Sequence, residues 1–244
     1  MNTTSWPQTS LVMLPGLDGT GMLFEPALSL LPETIHPCVV RYPGDRVLSL
    51  QEHVAVARGH LPEQSPFVLL AESISGPIAL QLLATPPENL IGVIFVATFA
   101  RYPRPFLLDA ACMMPQKLLR RLFTSTPGCR LFCLGTAHQD AVRLFQKALA
   151  DAKLGVLSNR LRVLAELPPP PATTFAQPCL YLQATQDRLV PKRASNRLRQ
   201  YLPQVEIRSI PGPHTILLAQ PAAGARLIAD FIAGLETAHV RIDR

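Results

Sequence analysis

The sequence predicts an α/β fold, with a mostly parallel central sheet of about six strands covered by helices on both faces. Three observations predict it. Short, nearly continuous apolar runs recur along the chain, as strands buried on both faces require. Segments with apolar residues at helical spacing separate them. From about residue 102 to 171 that alternation stops, and helical stretches follow one another without a strand. The length of 244 residues suits a single domain, 1–244, with the block 102–171 inserted between core strands.

The elements are expected in this order. Leu11–Leu14 is a short apolar strand, and Met22–Leu31 reads as a helix. Cys38–Arg41 is a second strand, followed by a helix over Leu48–Leu61 with apolar residues at helical spacing. Phe67–Ala71 is a strand, Ile74–Leu83 a helix, and Ile91–Ala97 a strand rich in branched residues. The inserted block carries helical stretches that include Leu118–Phe123, Ala141–Ala152 and Leu154–Leu167. It ends in Pro168-Pro169-Pro170-Pro171, an extended, stiff connector. Cys179–Ala184 and Val205–Ile210 are the remaining strands, and Ala194–Tyr201 and Ala222–Leu235 the remaining helices.

Composition narrows the class. Hydrophobic residues make up 48% and charged residues 16%, so the chain packs a core. Met1–Ser10 has neither a basic residue nor an apolar core, so no secretory leader is expected there. The longest apolar run, Leu90–Ala100 broken by Thr98, is too short to span a bilayer. Five cysteines without regular spacing argue against a disulfide framework and for a reducing, cytoplasmic setting. Cys129 and Cys133 form a lone C-x3-C without a second ligand pair, which argues against zinc. The net charge of +6 is concentrated: residues 101–170 hold eleven Lys or Arg against four Asp or Glu. Aromatics total 6% and do not interleave with these bases, which argues against nucleic acid.

Four strand ends carry chemistry. Val68-Leu69-Leu70-Ala71-Glu72-Ser73-Ile74-Ser75-Gly76-Pro77 is an apolar run ending at a serine flanked by small residues. That pattern fits a strand–serine–helix turn that presents a hydroxyl clear of its own backbone; the plainer alternative is a buried strand followed by a serine cap. Leu182–Pro191 places Asp187 just beyond a strand. Ile210-Pro211-Gly212-Pro213-His214 places His214 just beyond the last. A serine hydroxyl needs a base to take its proton, and the base needs a carboxylate to fix its tautomer. Ser73, Asp187 and His214 occur in an order that supplies all three roles. Leu14-Pro15-Gly16-Leu17-Asp18-Gly19-Thr20-Gly21 is a glycine-rich turn able to offer backbone N–H groups to a developing oxyanion. The candidates for that task are the N–H of Leu17 and of Ile74.

These motifs, P-G-L-D-G-T-G, A-E-S-I-S-G, D-R-L-V-P and G-P-H in that order, resemble the α/β-hydrolase superfamily, specifically its small lid-bearing serine carboxylesterases. The resemblance covers nearly the whole chain. It implies the α/β-hydrolase fold, a helical lid at 102–171, a Ser73–His214–Asp187 triad, and Leu17 and Ile74 as oxyanion donors. Three departures stand out. Pro15-Gly16 replaces a frequent His-Gly, Ala71 and Ser75 occupy the usual elbow glycines, and the antiparallel first strands of larger members are not expected. In plan the chain is also similar to pimeloyl-acyl-carrier-protein methyl ester esterases, whose lid arginines hold an acidic carrier protein.

Ser75 occupies the small-residue position; Asp18 is expected to brace its turn; Glu72, adjoining the nucleophile, is expected to point the wrong way to serve as the acid. His53 and His60 fall on one helix face and are expected to be partly exposed, and His36, His138 and His239 have no evident partner. The bases of the insertion, Arg101, Arg104, Lys117, Arg120, Arg121, Arg130, Arg143, Lys147, Lys153, Arg160 and Arg162, read first as the solvated faces of amphipathic helices. The functional alternative is steering of an acidic carrier protein toward the site. The expected reaction is hydrolysis of a small-molecule or acyl carboxylic ester through an acyl-enzyme, with no metal or organic cofactor. A thioesterase or acyltransferase could use the same groups, and a catalytically silent binding protein could keep the fold.

Overall fold

The structure, a computed structural model, describes residues 9–172 and 175–242. The amino-terminal stretch on which the leader expectation rests, up to residue 8, lies outside the described residues. Six parallel strands form one sheet: β1 (Thr9–Leu14), β2 (Ile35–Val39), β3 (Phe67–Glu72), β4 (Leu90–Val96), β5 (Cys179–Ala184) and β6 (Val205–Ile210). Their order is β2-β1-β3-β4-β5-β6. The central strands β3 and β5 are buried at every position, which is why their sequences are apolar without alternation.

Successive side chains of a strand point to opposite faces, and the two cores follow that rule. Val12 and Leu14 of β1 join Leu69, Ala71, Val93 and Phe95 on one face, under α2 (Leu50–Arg58) and α3 (Ser75–Leu83). Leu11 and Met13 join Val68, Leu70 and Ile94 on the other, under Ile228 and Ile232 of the last helix. The helices of the second face are α1 (Glu25–Leu28) and, after β6, Ile216–Ala219 and Pro221–Ile242.

Between β4 and β5 the chain makes α4 (Pro105–Met113), α5 (Gln116–Thr124), α6 (Thr126–Cys129), a π-helical turn at Arg130–Leu134, α7 (Gln139–Asp151) and α8 (Leu154–Ala165). These helices have their own apolar cluster around Leu134, Val142, Phe145 and Leu149, which Leu23 from the β1–β2 connection joins. After β5 come α9 (Arg193–Leu198), α10 (Ile216–Ala219) and α11 (Pro221–Ile242).

Several boundaries differ from the sequence reading. Met22–Leu31 is not one helix but a 3-10 turn at Met22–Phe24 followed by the single turn α1. Pro26 has no N–H to continue a longer ladder. β2 spans Ile35–Val39 rather than Cys38–Arg41 and so includes Pro37; β2 is an edge strand, where a missing N–H costs little. Helix α2 starts one residue after Ser49, whose hydroxyl accepts from Glu52 N while the Glu52 carboxylate accepts from Ser49 N. It stops at Arg58, so His60 lies beyond it. His53 is buried rather than partly exposed, stacked edge-on against Tyr42 with ring centroids 4.9 Å apart. Helix α9 ends at Leu198 rather than Tyr201, while α11 runs past Leu235. The His239 side chain lies outside the described residues.

Candidate active site

The chain leaves β3 at Glu72 and enters α3 at Ser75, so Ser73 sits on a two-residue turn. Its φ is +51°, a left-handed conformation that a side-chain-bearing residue adopts only under constraint. Neighbouring groups supply that constraint. Ser73 N donates to Val96 O at 3.0 Å, and Thr98 Oγ1 donates to Ser73 O. Gly76 completes the turn, because a Cβ there would stand 2.0 Å from Thr98 Oγ1 and 2.9 Å from Phe99 O. Ala71 and Ser75 are both fully buried, so the usual glycine positions need small residues rather than glycine itself. Ser75 adds a function of its own: its Oγ donates to Pro15 O at 2.5 Å and accepts from Tyr42 Oη at 3.1 Å. Burial pushes the Tyr42 phenol well up, which keeps its proton in place as the donor.

His214 follows β6 through Gly212 and Pro213. The next residue, Thr215, is anchored twice to Cys133 O, by its N at 3.1 Å and its Oγ1 at 2.9 Å. His214 Nε2 meets Ser73 Oγ at 2.9 Å, and His214 Nδ1 meets Asp187 Oδ2 at 2.7 Å. Asp187 caps the loop after β5: its Oδ1 accepts from Leu189 N and Val190 N, both at 2.8 Å. That leaves Oδ2 free to face the imidazole. The proton is therefore assigned to Nδ1, and the Nε2 lone pair faces the Ser73 hydroxyl. The side chains of His214 and Asp187 are 8% and 2% exposed, so the pair works out of water. Burial alone would lower the His214 pKa; the charge and hydrogen bond of Asp187, with help from Glu72, outweigh it and raise the value above 6.5.

The turn after β1 faces this pair. Gly19 N donates to Gly16 O at 3.0 Å, and Asp18 Oδ2 accepts from Thr20 N at 2.8 Å and Thr20 Oγ1 at 2.6 Å. Asp18 thus braces its turn, as its position suggests. Leu17 and Ile74 both line the cavity beside Ser73. Among the described residues neither backbone N–H donates a hydrogen bond.

No family model matches the chain. It is 30% identical over 250 residues to the biotin biosynthesis bifunctional protein BioHC of Cellvibrio japonicus, with 93% of this chain covered; the chain spans about half of that relative, 48% of its length. A thermophilic esterase from Thermogutta terrifontis matches with a TM-score of 0.78 at 16% identity, covering 93% of this chain and 90% of that one. MenH from S. aureus matches with a TM-score of 0.77 at 13% identity, covering 97% of each chain. The likeness to these solved structures shows that the chain has the α/β-hydrolase fold. Its all-parallel six-stranded sheet, with helices on both faces, agrees with that fold.

Within this fold, the helices between β4 and β5 roof a cavity of about 300 Å³. Its floor holds Ser73 and His214, and its walls are apolar, with Leu108, Leu119, Phe123 and Phe145 contributed by the roof. Glu72 also lines it. His214 bonds Asp187 and not this carboxyl, in keeping with the expectation that Glu72 is not the acid. Burial, and secondarily the charge of Asp18, push Glu72 up to about 8 against a small opposing pull from His214.

Sequence reasoning missed two residues. Tyr42 gave no signal in the sequence. Arg160 is counted there among solvated bases, yet only 2% of it is exposed. A signal for Arg160 existed: it lies on α8 in line with Val156, Leu157, Leu161 and Leu164, all buried, so it occupies the apolar stripe of its helix.

Among the described residues, no helix is long and apolar enough to cross a membrane.

Proposed function

We propose that this chain is a carboxylic ester hydrolase in which Ser73 is the nucleophile, His214 the general base and acid, and Asp187 the residue that orients and charges-balances His214. The single observation behind this reading is the unbroken relay from Asp187 Oδ2 through the imidazole to Ser73 Oγ, with contacts of 2.7 and 2.9 Å. In the reaction His214 Nε2 takes the Ser73 proton as Oγ attacks the ester carbonyl. The tetrahedral oxyanion is received by the N–H groups of Leu17 and Ile74. His214 then protonates the leaving alcohol, giving an acyl-Ser73. Water, deprotonated by His214, hydrolyses it. Residues 102–171 act as the lid, whose apolar underside selects the acyl chain.

The test is turnover of p-nitrophenyl butyrate. Ser73→Ala should abolish it while circular dichroism and melting temperature stay near those of the unaltered protein; retained turnover would refute the reading.

A finer reading concerns the substrate. Arg101, Lys117, Arg121, Arg143, Lys147, Lys153 and Arg162 of the lid are exposed, and the 30% identical relative is named for biotin biosynthesis. Both favour an acyl ester delivered on an acidic carrier protein, as the resemblance to pimeloyl-acyl-carrier-protein methyl ester esterases implies. Attraction between exposed charges is screened over about 8 Å at physiological ionic strength. Raising salt from 20 to about 300 mM should therefore lower kcat/KM for a carrier-bound methyl ester severalfold and leave p-nitrophenyl butyrate unaffected. Equal insensitivity of both would remove the carrier from the proposal. Comparing an ester and a thioester of one acyl group separates hydrolysis of each, and added alcohol or amine acceptors reveal acyl transfer.

A further inference from the structure

One cation of the lid is not on its surface. Arg160 of α8 is 2% exposed, and its guanidinium passes through the lid into the core. Nη1 donates to Leu17 O at 2.8 Å and Asp18 O at 2.7 Å; Nη2 donates to Pro43 O at 3.1 Å and, more loosely, to Tyr42 O at 3.4 Å. Among the described residues it makes no salt bridge. The nearby Asp18 carboxylate spends Oδ2 on Thr20. Every partner of Arg160 is thus a backbone carbonyl. Gly19 is shaped to admit it: φ is +71°, and a Cβ there would stand 2.4–2.5 Å from the guanidinium atoms. Arginine suits this task because its planar fork offers several donors in fixed directions, which a lysine ammonium cannot.

The carbonyls of the turn are held one by one. Pro15 O accepts from Ser75 Oγ, Gly16 O from Gly19 N, Leu17 O and Asp18 O from Arg160, and Gly19 O from Tyr42 N at 2.8 Å. In a trans peptide C=O and N–H point in opposite directions. Pinning Gly16 O therefore sets where the Leu17 N–H points. Pinning Leu17 O and Asp18 O stops the next two peptides from rotating and carrying that N–H away.

We propose that Arg160 is a positioning residue for the oxyanion site: from the lid helix it clamps the Leu17–Asp18 backbone so that the Leu17 N–H is oriented before the substrate binds. The clamp also makes the oxyanion site dependent on lid placement, because one side chain joins the two. This rests on the ester-hydrolase reading, in which Leu17 N–H receives the oxyanion.

The experiment compares the unaltered protein with Arg160→Met and Arg160→Lys on p-nitrophenyl butyrate, with active sites counted by fluorophosphonate labelling. Losing a whole oxyanion donor costs about 10²–10³ in kcat; a donor left present but unclamped should cost about 10–100-fold. In Arg160→Met, kcat per labelled site should fall by that factor with KM within about threefold, and Arg160→Lys should fall between the two. Binding of an alkyl trifluoromethyl ketone, which forms the tetrahedral adduct, should weaken in step with kcat/KM. The midpoint of the acid limb of the pH profile should stay put, because His214 and Asp187 are untouched. Gly19→Ala, which displaces the guanidinium from the other side, should reproduce the same pattern and serves if Arg160→Met does not fold. A kcat per labelled site within twofold of the unaltered protein, in whichever of these variants fold, would overturn the role given to Arg160. Absence of labelling and turnover in the unaltered protein would overturn the ester-hydrolase reading and this proposal with it.

Discussion

Glu72 gives a quantitative test of the electrostatics of the site. The carboxyl closes β3, one residue before the nucleophile, and is 3% exposed. Its Oε2 stands 3.6 Å from where a Cβ on Gly16 would be, so it sits against the turn braced by Asp18. Burial and that second carboxylate hold its proton up to about pH 8, against 4.5 for an ordinary glutamate. Between those values the folded chain binds a proton that the unfolded chain has released. Stability therefore falls as pH rises through this window, and the loss is complete above it. At 1.36 kcal/mol per pH unit the difference amounts to about 5 kcal/mol. Glu72→Gln keeps the shape and hydrogen-bonding capacity of the protonated acid but cannot ionise. Equilibrium urea unfolding, followed by circular dichroism from pH 5 to pH 9, should find the two proteins close at pH 5. The variant should gain on the unaltered protein as pH rises, by several kcal/mol at pH 9. A stability difference that is the same at pH 5 and pH 9 would refute the claim that Glu72 is buried as the neutral acid.

Two further predictions concern the relay and the elbow. Asp187→Asn should lower kcat on the order of 10⁴-fold by stabilising the wrong tautomer; and because the main groups opposing burial at His214 are then gone, the acid limb of kcat/KM should move to lower pH. An unmoved limb in a pH–rate profile would count against Asp187 as the group that raises His214. Gly76→Ala should destabilise the protein by about 1–3 kcal/mol through overpacking against Thr98, a shift of several degrees in a calorimetric melt; no shift would mean the elbow relaxes without strain.

The parallel sheet was legible because β3, β4 and β5 are buried on both faces and written as continuous branched and aliphatic runs. The positions of Ser73, Asp187 and His214 were legible for a related reason: Ser73 and Asp187 follow such strands, His214 follows the edge strand β6, and in parallel sheets those ends share one rim. What the sequence hid depends on contacts between distant segments. Pro37 could stand in β2 only because no strand pairs on its outer side. Its helical spacing leaves His53 partly exposed, yet Tyr42 and the packing of α8 cover it. The apolar stripe of α8 carries a signal that Arg160 is buried, but nothing local to α8 reveals the carbonyls it binds, more than a hundred residues away. The Ser75 hydroxyl, read as a loosened glycine, proved to be a link to Pro15.

The central claim, that Ser73 forms a covalent acyl intermediate, is best tested by rapid acid quench during turnover of p-nitrophenyl butyrate and mass spectrometry of the digested chain. A butyryl group on the peptide that contains Ser73, lost on adding the Ser73→Ala change and accumulating when deacylation is slowed at low pH, is the expected result. Steady ester cleavage with that peptide unmodified at every time point, or with the acyl group on another residue, would contradict it.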